Sequence, residues 1–291
     1  MKNQEIFKIP TCNFDIVVDT DAYADSIYEM DDQFAIAYML TYSCFNVKAF
    51  YTFTNDPEFK RGIIEVVNRC HRQDLADKVF AGGTRAFDRG NVEKSEAAVD
   101  LIERSKGYSK ENPLYVLAIG PVTNIASALS LEPSIAEKIV VVALFGHDFN
   151  QKDTAEYNLQ KDLEASKVLM ESDAPLMLVP CIDVAKKLEL SSQECVKAFK
   201  GKNEIGDYLI YCMSKMCSKE YFPKLKRVIW DAIPVALLSR PELLTYEIRE
   251  KPLIDDNVCW KLTGSHKKML YVSDIDAEKI KKDMLERISE I

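Results

Sequence analysis

The stretch Phe14–Leu40, FDIVVDTDAYADSIYEMDDQFAIAYML, decides how the rest of the chain is interpreted. Its start, Phe14–Val18, is a mostly apolar run of the kind found in buried strands of parallel sheets. Apolar residues return at helical spacing from Phe34 onward. An acidic loop joins these two elements, and ligands of open α/β sheets bind at such loops, outside the carboxyl ends of the strands. We therefore expect the functional site at this loop.

The loop carries two groups of aspartates. Asp19 and Asp21 follow the predicted strand, and Asp31 and Asp32 precede the predicted helix. Four crowded carboxylates repel one another unless a cation or shared protons relieve them. Because Ca²⁺ is a hard ion that takes several oxygen ligands, the loop is a candidate calcium site. The same residues are equally consistent with a helix cap beside solvated loop residues, since acidic loops at helix starts are common.

Composition and charge restrict the class of protein. The chain has 291 residues, 47% hydrophobic and 29% charged, which is typical of a globular protein with a sizeable core. The net charge of −8 argues against nucleic acid or an anionic membrane surface as the main partner. The N-terminal residues lack the apolar core of a signal peptide, and no membrane span follows. The eight cysteines form no CxxC pair, so we expect reduced thiols and a cytoplasmic protein.

Strands alternate with helices along most of the chain, which predicts an α/β fold with a mostly parallel, Rossmann-like open sheet flanked by helices. Strands after the first are predicted over Val47–Phe53, Lys78–Phe80, Leu114–Ile119, Ile139–Phe145 and Leu176–Val179. Beyond Pro180 the pattern loosens into two peripheral strands, Tyr246–Leu253 and Met269–Val272, and a closing amphipathic helix over Asp274–Ile291. Since no linker or repeat interrupts the sequence, residues 1–291 are predicted to form a single domain.

Polar side chains also follow the later predicted strands. They are Asn55, Thr123, Asn150, Glu156 and Asn158. Amides and carboxylates that meet at one edge of a sheet would suit a polyhydroxylated ligand. The chain has no GxxxxGK[ST] motif, and no GxGxxG motif follows the first strand. Phosphate or dinucleotide binding is therefore disfavoured.

Four motifs spread over most of the chain occur in the order of a known family. They are Asp19–Asp21 with Asp31–Asp32, Gly120–Asn124, Ala155–Asn158 preceded by Asn150, and Val228–Asp231. These resemble, in that order, an Asp-x-Asp and Asp-Asp signature, a Gly-Pro-Leu-Thr-Asn segment, a ribose-binding segment and a His-Asp pair. The chain thus resembles the inosine-uridine preferring nucleoside hydrolases.

The resemblance implies a hydrolase that cleaves the N-glycosidic bond of a small ribonucleoside with a Ca²⁺-bound water. The implied calcium ligands are Asp21, Asp32, Asp231 and the backbone carbonyl of Thr123. Asp21 would also be the catalytic base, and Asp19 would orient the ligands. The implied ribose-binding residues are Asp31, Asn150, Glu156 and Asn158. Asn55, which follows a predicted strand, and Trp230 are further candidate substrate-binding residues. The expected assembly is a homo-oligomer, a dimer or tetramer.

Two departures from the family pattern affect these expectations. The spacer between Asp21 and Asp31 is longer than the family's usual one. Asp25 lies at the usual spacing but is followed by Ser26, so we take Asp31 and Asp32, where the helix is predicted to begin. Trp230 stands where the family has a histidine, and no segment matches the family's other histidine segment, which follows the third strand. Base preference and turnover therefore depend on residues that differ from the family.

Several of these residues have a second interpretation. Trp230 could stack on a nucleobase or pack at a helix start, and stacking would favour purine nucleosides over uridine. His147, after the most apolar strand, could donate a proton to the leaving base or be structural. Asn55 is also a plausible turn residue, and Asp231 a plausible helix cap.

Two other functions remain open from the sequence alone. A phosphohydrolase of the haloacid dehalogenase type also places Asp-x-Asp after its first strand, but it needs a downstream lysine and usually Mg²⁺. It does not account for the segments around Gly120 and Glu156. The other alternative is a related protein that binds a ribosyl ligand without turning it over.

Overall fold

The computed structural model describes residues 7, 9–10, 13–262 and 266–291. The apolar run that opens the chain is strand β1 (Phe14–Thr20), and its last five residues are buried. The later strands are β2 (Phe45–Thr52), β3 (Val79–Phe80), β4 (Leu114–Ala118), β5 (Ile139–Leu144), β6 (Leu176–Val179), β7 (Glu189–Ser191), β8 (Lys226–Val228), β9 (Leu244–Glu250), β10 (Leu253–Ile254), β11 (Trp260–Lys261) and β12 (Lys268–Ile275).

Helices separate most of these strands. They are α1 (Asp31–Leu40), α2 (Pro57–Arg69), α3 (Glu96–Ser105), α4 (Thr123–Leu131), α5 (Tyr157–Lys161), α6 (Leu163–Glu171), α7 (Ser192–Phe199), α8 (Glu204–Lys215), α9 (Ala232–Ser239) and α10 (Ala277–Ile288). Short 3-10 turns lie at Gln73–Leu75, Pro133–Glu137, Ala185–Lys187, Phe222–Lys224 and Pro241–Leu243.

Within the described residues, the central sheet has eight strands in the order β3-β2-β1-β4-β5-β6-β12-β9. Neighbouring strands from β3 to β12 are parallel, and β9 pairs with β12 in the antiparallel direction. Two small antiparallel sheets pair β7 with β8 and β10 with β11. The predicted fold class, a mostly parallel sheet flanked by helices, is confirmed.

The C-terminal part differs from its prediction. Met269–Val272 was expected to be a peripheral strand, but it belongs to β12, which lies inside the main sheet between β6 and β9. All four of these residues are buried, and Leu270 and Tyr271 pair with β6. A four-residue apolar run does not by itself distinguish an interior strand from a peripheral one, and pairing with both β6 and β9 places this strand inside the sheet. The closing helix α10 begins at Ala277, where the Asp276 side chain accepts a bond from the Lys279 amide.

Helices cover both faces of the sheet. In β1 the side chains of Ile16 and Val18 belong to one apolar cluster and Val17 to the other, as the two-residue period of a strand requires. Helices α1, α2 and α7 to α10 contribute to the first cluster, and α3 to α6 contribute to the second. Burial of these apolar faces is the main source of stability of the fold.

Two helices of the first layer are almost wholly inside the protein. Helix α1 is buried from Asp31 to Met39, and α9 is buried from Ala232 to Leu238. The two helices contact each other. Their first turns carry unpaired backbone N–H groups, which favour negative charge nearby. The aspartates that open these helices are therefore fixed in place by the core.

The seven cysteines within the described residues are free thiols, and Cys12 lies outside those residues. Across the described part of the chain, we find no helix with the length and apolar character needed to cross a membrane.

Candidate active site

A cavity of about 290 Å³ lies where β1, β4, β5 and β6 reach their carboxyl ends. Its lining brings together residues far apart in the sequence, including eight of those predicted above. These eight are Asp21, Asp31, Asp32, His147, Glu156, Asn158, Trp230 and Asp231. Among the described residues of the lining there is no lysine, which the phosphohydrolase alternative requires. The cavity is therefore the candidate active site.

Three aspartates of the cavity form a compact cluster, the aspartate cluster. Asp31, Asp32 and Asp231 are all buried, and each offers a carboxylate oxygen within 4.8 Å of the others. Asp31 and Asp32 open α1, and Asp231 directly precedes α9. Within the described residues, the Asp231 side chain makes no capping hydrogen bond, so capping does not explain its position. Converging carboxylate oxygens are the donor set that suits Ca²⁺.

Asp21 lies beside this cluster. Burial raises its pKa well above the usual aspartate range, and the nearby carboxylate of Asp32 raises it further. The pKa values of Asp32 and Asp231 are also raised well above that range, first by burial and then by Asp31. The hydroxyl of Thr20 donates a hydrogen bond to Asp32. The site must therefore hold either protons or a cation to relieve its negative charge.

The segment Glu156–Asn158 forms the opposite side of the cavity. The Glu156 carboxylate caps α5 by accepting bonds from the amides of Asn158 and Leu159, and it also accepts one from Gly146, at 3.1 Å. Burial raises the pKa of Glu156 to about 7. The side-chain amide of Asn158 donates to the carbonyl oxygen of Ile119, at 3.2 Å. Both side chains are thus held in the cavity lining by hydrogen bonds to the backbone.

His147 and Trp230 line the cavity with part of their surface. The backbone of His147 is fixed at both ends, because its N–H donates to Thr154 and its carbonyl accepts from Trp260. Its Nδ1 atom is buried and has no hydrogen-bond partner among the described residues. Burial lowers the pKa of His147, so the neutral imidazole is favoured. Trp230 packs against the first apolar cluster while it lines the cavity, so packing and base stacking are compatible roles.

Three predicted residues are not brought to the cavity. Asn55 is exposed in the bend after β2, and Asn150 is exposed with its amide donating to Asp148, at 2.6 Å. Thr123 opens α4, so its carbonyl faces along that helix, and its hydroxyl donates to Asp162, at 2.6 Å. Ile119, which directly follows β4, does line the cavity, and its main chain carries a carbonyl oxygen.

Asp19 lies beneath the site rather than in it. It is buried but does not line the cavity, and it accepts a bond from the Asn124 side chain, at 3.0 Å. Its Oδ2 atom has no partner among the described residues. Burial raises the pKa of Asp19 to about 8. This position agrees with an orienting role for Asp19.

Glu29 was not predicted from the sequence, and it lines the cavity from the long spacer between β1 and α1. Burial and the neighbouring Asp31 raise the pKa of Glu29 to about 7. The only available signal was an acidic residue just before the start of α1. Asp25, the alternative to Asp31, is exposed at a φ of 54° and lies outside the cavity. Cys181 and the ring of Tyr157 also line the cavity and were not predicted.

Comparison with known proteins gives a consistent result. The sequence profile of the inosine-uridine preferring nucleoside hydrolases matches residues 16–282. Uridine nucleosidase 1 of Arabidopsis thaliana is 30% identical over 169 residues, which are 55% of this chain and 48% of that protein. The chain thus spans about half the length of the curated relatives that it matches.

Solved structures share the fold. The plant nucleoside hydrolase PpNRh1 superposes with a TM-score of 0.77 at 18% identity, covering 96% of this chain and 99% of that one. The purine-preferring ribonucleoside hydrolase of Gardnerella vaginalis gives 0.74 at 22% identity, with 95% and 98% covered. The profile match extends from β1 into α10 and includes every residue of the cavity, and the haloacid dehalogenase alternative is set aside. The chain belongs to the inosine-uridine preferring nucleoside hydrolase family.

Proposed function

We propose that the protein hydrolyses the N-glycosidic bond of ribonucleosides and depends on one bound Ca²⁺. The aspartate cluster carries this proposal, because three buried carboxylates converge in the same cavity as Asp21, Glu156 and Asn158. Membership of the family supports the reaction class. The donor set supports a hard divalent ion, since it consists of carboxylate oxygens.

Asp32, Asp231 and Asp21 would hold the ion. A main-chain oxygen would complete the protein's share of the ligands. The candidates are the carbonyl of Thr123 and that of Ile119, a residue of the cavity lining whose carbonyl accepts a bond from Asn158. A bound Ca²⁺ would lower the pKa of a coordinated water and orient ribose hydroxyls. Asp31 lies within the same cluster, where its carboxylate can accept a hydrogen bond from a ribose hydroxyl.

Asp21 would take the proton from the attacking water. In the metal-free protein, burial and Asp32 raise the pKa of Asp21. A bound cation would favour the ionised carboxylate, which is the form that can act as a base. Breaking the glycosidic bond develops positive charge on the sugar, as in other glycoside hydrolyses. The carboxylates of Asp31 and Glu156 would stabilise this charge more strongly in the transition state than in the bound nucleoside.

Trp230 and His147 are the residues of the cavity that could act on the leaving base. Stacking of Trp230 on the base would favour purines over uridine among neutral nucleosides. His147 is the alternative proton donor, although burial lowers its pKa and so favours the neutral form.

The proposal is tested by measuring ribose release from five nucleosides, inosine, adenosine, guanosine, uridine and cytidine. The assay is run after a chelator has removed the metal and again after Ca²⁺ has been added back. Turnover that is lost with chelator and restored by Ca²⁺ is expected. Binding of nucleosides without ribose release would support instead a protein that binds a ribosyl ligand without turnover. Activity that persists after complete metal removal would contradict the calcium dependence.

We also propose that the protein works as a homo-oligomer, a dimer or tetramer, in the cytoplasm. Light scattering of the purified chain tests the assembly, and a monomer at working concentration would contradict it.

A further inference from the structure

The long connection between β1 and α1 adds a carboxylate to the cavity. This connection holds Glu29 in place through several contacts. The hydroxyl of Ser26 accepts a bond from the Glu29 amide, at 3.2 Å. Arg227 donates to the carbonyl oxygen of Tyr28, at 2.7 Å, and Asp25 accepts a bond from the hydroxyl of Tyr211, at 2.8 Å. The backbone that carries Glu29 is therefore held in place by polar contacts.

The carboxylate of Glu29 is available to a ligand. It is half-buried at the cavity, and within the described residues it has no hydrogen bond or ion pair. Arg227 and Lys161 act on it electrostatically from a distance, but neither of them lines the cavity. A carboxylate of this kind favours a ligand group that carries positive charge or donates hydrogen bonds.

The cavity as a whole has an excess of acidic groups. Its described lining contains six acidic residues, and His147 is its one basic residue. The six are Asp21, Glu29, Asp31, Asp32, Glu156 and Asp231. A bound Ca²⁺ would offset two negative charges, and any further carboxylate that is ionised favours a cation. Trp230 and Tyr157 also line the cavity, and aromatic side chains attract cationic groups.

The leaving group gives an independent reason to expect a cation. A neutral purine or pyrimidine departs as an anion unless a proton donor reaches it. Of the described lining residues, only His147 resembles the usual imidazole donor, and burial favours its neutral form. A base that is already positively charged leaves as a neutral molecule and needs no such donor.

We propose that the preferred substrates are ribonucleosides whose base carries a permanent positive charge, such as N-ribosylpyridinium compounds or N7-alkylated purine nucleosides, and that Glu29 recognises this charge. This inference rests on the proposed hydrolase function and names its substrate class. In the reaction, the oxygen of water forms a bond to the anomeric carbon and the C–N bond breaks. The electron pair of that bond stays on the ring nitrogen, which becomes neutral, and one water proton passes to Asp21 and then to solvent.

Pairs of nucleosides that differ in charge test the inference. Guanosine is compared with 7-methylguanosine, and uridine with nicotinamide riboside, by measuring kcat/KM for the calcium-loaded wild type, Glu29→Gln and Glu103→Gln. Glu103 is an exposed glutamate on α3 and serves as the matched control. Alkylated bases are intrinsically more reactive. The informative quantity is therefore how far each variant changes the ratio of kcat/KM for the cationic nucleoside to kcat/KM for its neutral counterpart.

We expect Glu29→Gln to lower this ratio about tenfold, the size of one partly solvated charge pair, and Glu103→Gln to leave it unchanged. The same loss should appear in binding. In an Asp21→Asn background, which prevents turnover, Glu29→Gln should raise the Kd of nicotinamide riboside about tenfold with little effect on uridine.

Three outcomes would overturn the inference. An unchanged ratio in Glu29→Gln would show that Glu29 does not recognise charge. A selective loss of guanosine turnover would show that it accepts bonds from a neutral base instead. Wild-type protein that hydrolyses neutral nucleosides but not cationic ones would refute the substrate class alone. Absence of turnover of every nucleoside, by contrast, would refute the proposed hydrolase function.

Discussion

Calcium binding should release protons, and its affinity should rise with pH. The carboxylate oxygens of Asp31, Asp32 and Asp231 lie within 4.8 Å of one another. Two unit charges at that separation repel each other by about 3.5 kcal/mol at an effective dielectric constant of about 20. This repulsion adds to the effect of burial, and together they raise the carboxyl pKa values of Asp32 and Asp231 well above the usual aspartate range. The metal-free cluster therefore retains protons near neutral pH.

Whether calcium affinity rises or falls with pH follows from the direction of the pKa shifts. Burial and neighbouring carboxylates raise the pKa values of Asp21, Asp32 and Asp231, whereas a metal ligand must be deprotonated. At pH 6.5 we expect one to two protons to leave for each Ca²⁺ bound. The Kd should then fall about tenfold per pH unit for each proton released, until the cluster is ionised.

Titration calorimetry in two buffers with different ionisation enthalpies measures the protons released, and its repetition from pH 6 to 9 gives the pH dependence of Kd. Asp173→Asn is the control, because Asp173 pairs with Lys267 on the surface and does not line the cavity. Its titrations should match those of the wild type. A Kd that does not change with pH, together with a binding heat that is the same in both buffers, would refute the reasoning.

Three further predictions concern single residues. Asp21→Asn should reduce kcat by several powers of ten, because the base and a ligand charge are lost together. Its circular dichroism spectrum should stay nearly intact. A variant with a tenth of wild-type activity would count against Asp21 as base. Trp230→Ala should reduce inosine hydrolysis with His147→Ala near normal, and the reverse result in steady-state assays would make His147 the proton donor. The folded-state pKa of Glu156 is raised from 4.5 to about 7, so the folded protein keeps a proton that the unfolded chain loses. In metal-free protein this group should lower the free energy of unfolding by about 3 kcal/mol as pH rises from about 4.5 to 7. Urea denaturation should show that Glu156→Gln lacks that part of the decline, and an identical decline in both proteins would rule the effect out.

Much of the fold could be predicted from the sequence because its strands are continuous apolar runs. Strand β1 and the start of α1 at Asp31 follow from local pattern, since an apolar run ends in polar residues and helical spacing resumes. Strand β12 was placed at the periphery because its apolar run is short, and only pairing with β6 shows that it is interior.

The candidate site could be predicted in part. Asp231 was identified through resemblance, because nothing local distinguishes it from an ordinary residue at the start of a helix. Asn55, Asn150 and Thr123 also matched motifs or strand ends, but their side chains do not line the cavity. Glu29 could not be predicted, because the path of a long polar connection depends on contacts such as that between Arg227 and Tyr28.

The burial of α1 and α9 separates what is fixed in this protein from what can change. The aspartate cluster opens two helices that are enclosed by the core, so moving a ligand oxygen would require repacking buried side chains such as Phe34 or Leu237. Ion affinity is thereby tied to the integrity of the interior. The outer part of the connection, residues 25–29, has no such constraint, since these residues are exposed or half-buried and are held by polar contacts. A new substrate range could therefore be engineered by redesigning residues 25–29 alone, with the ion and the water-activating Asp21 left untouched.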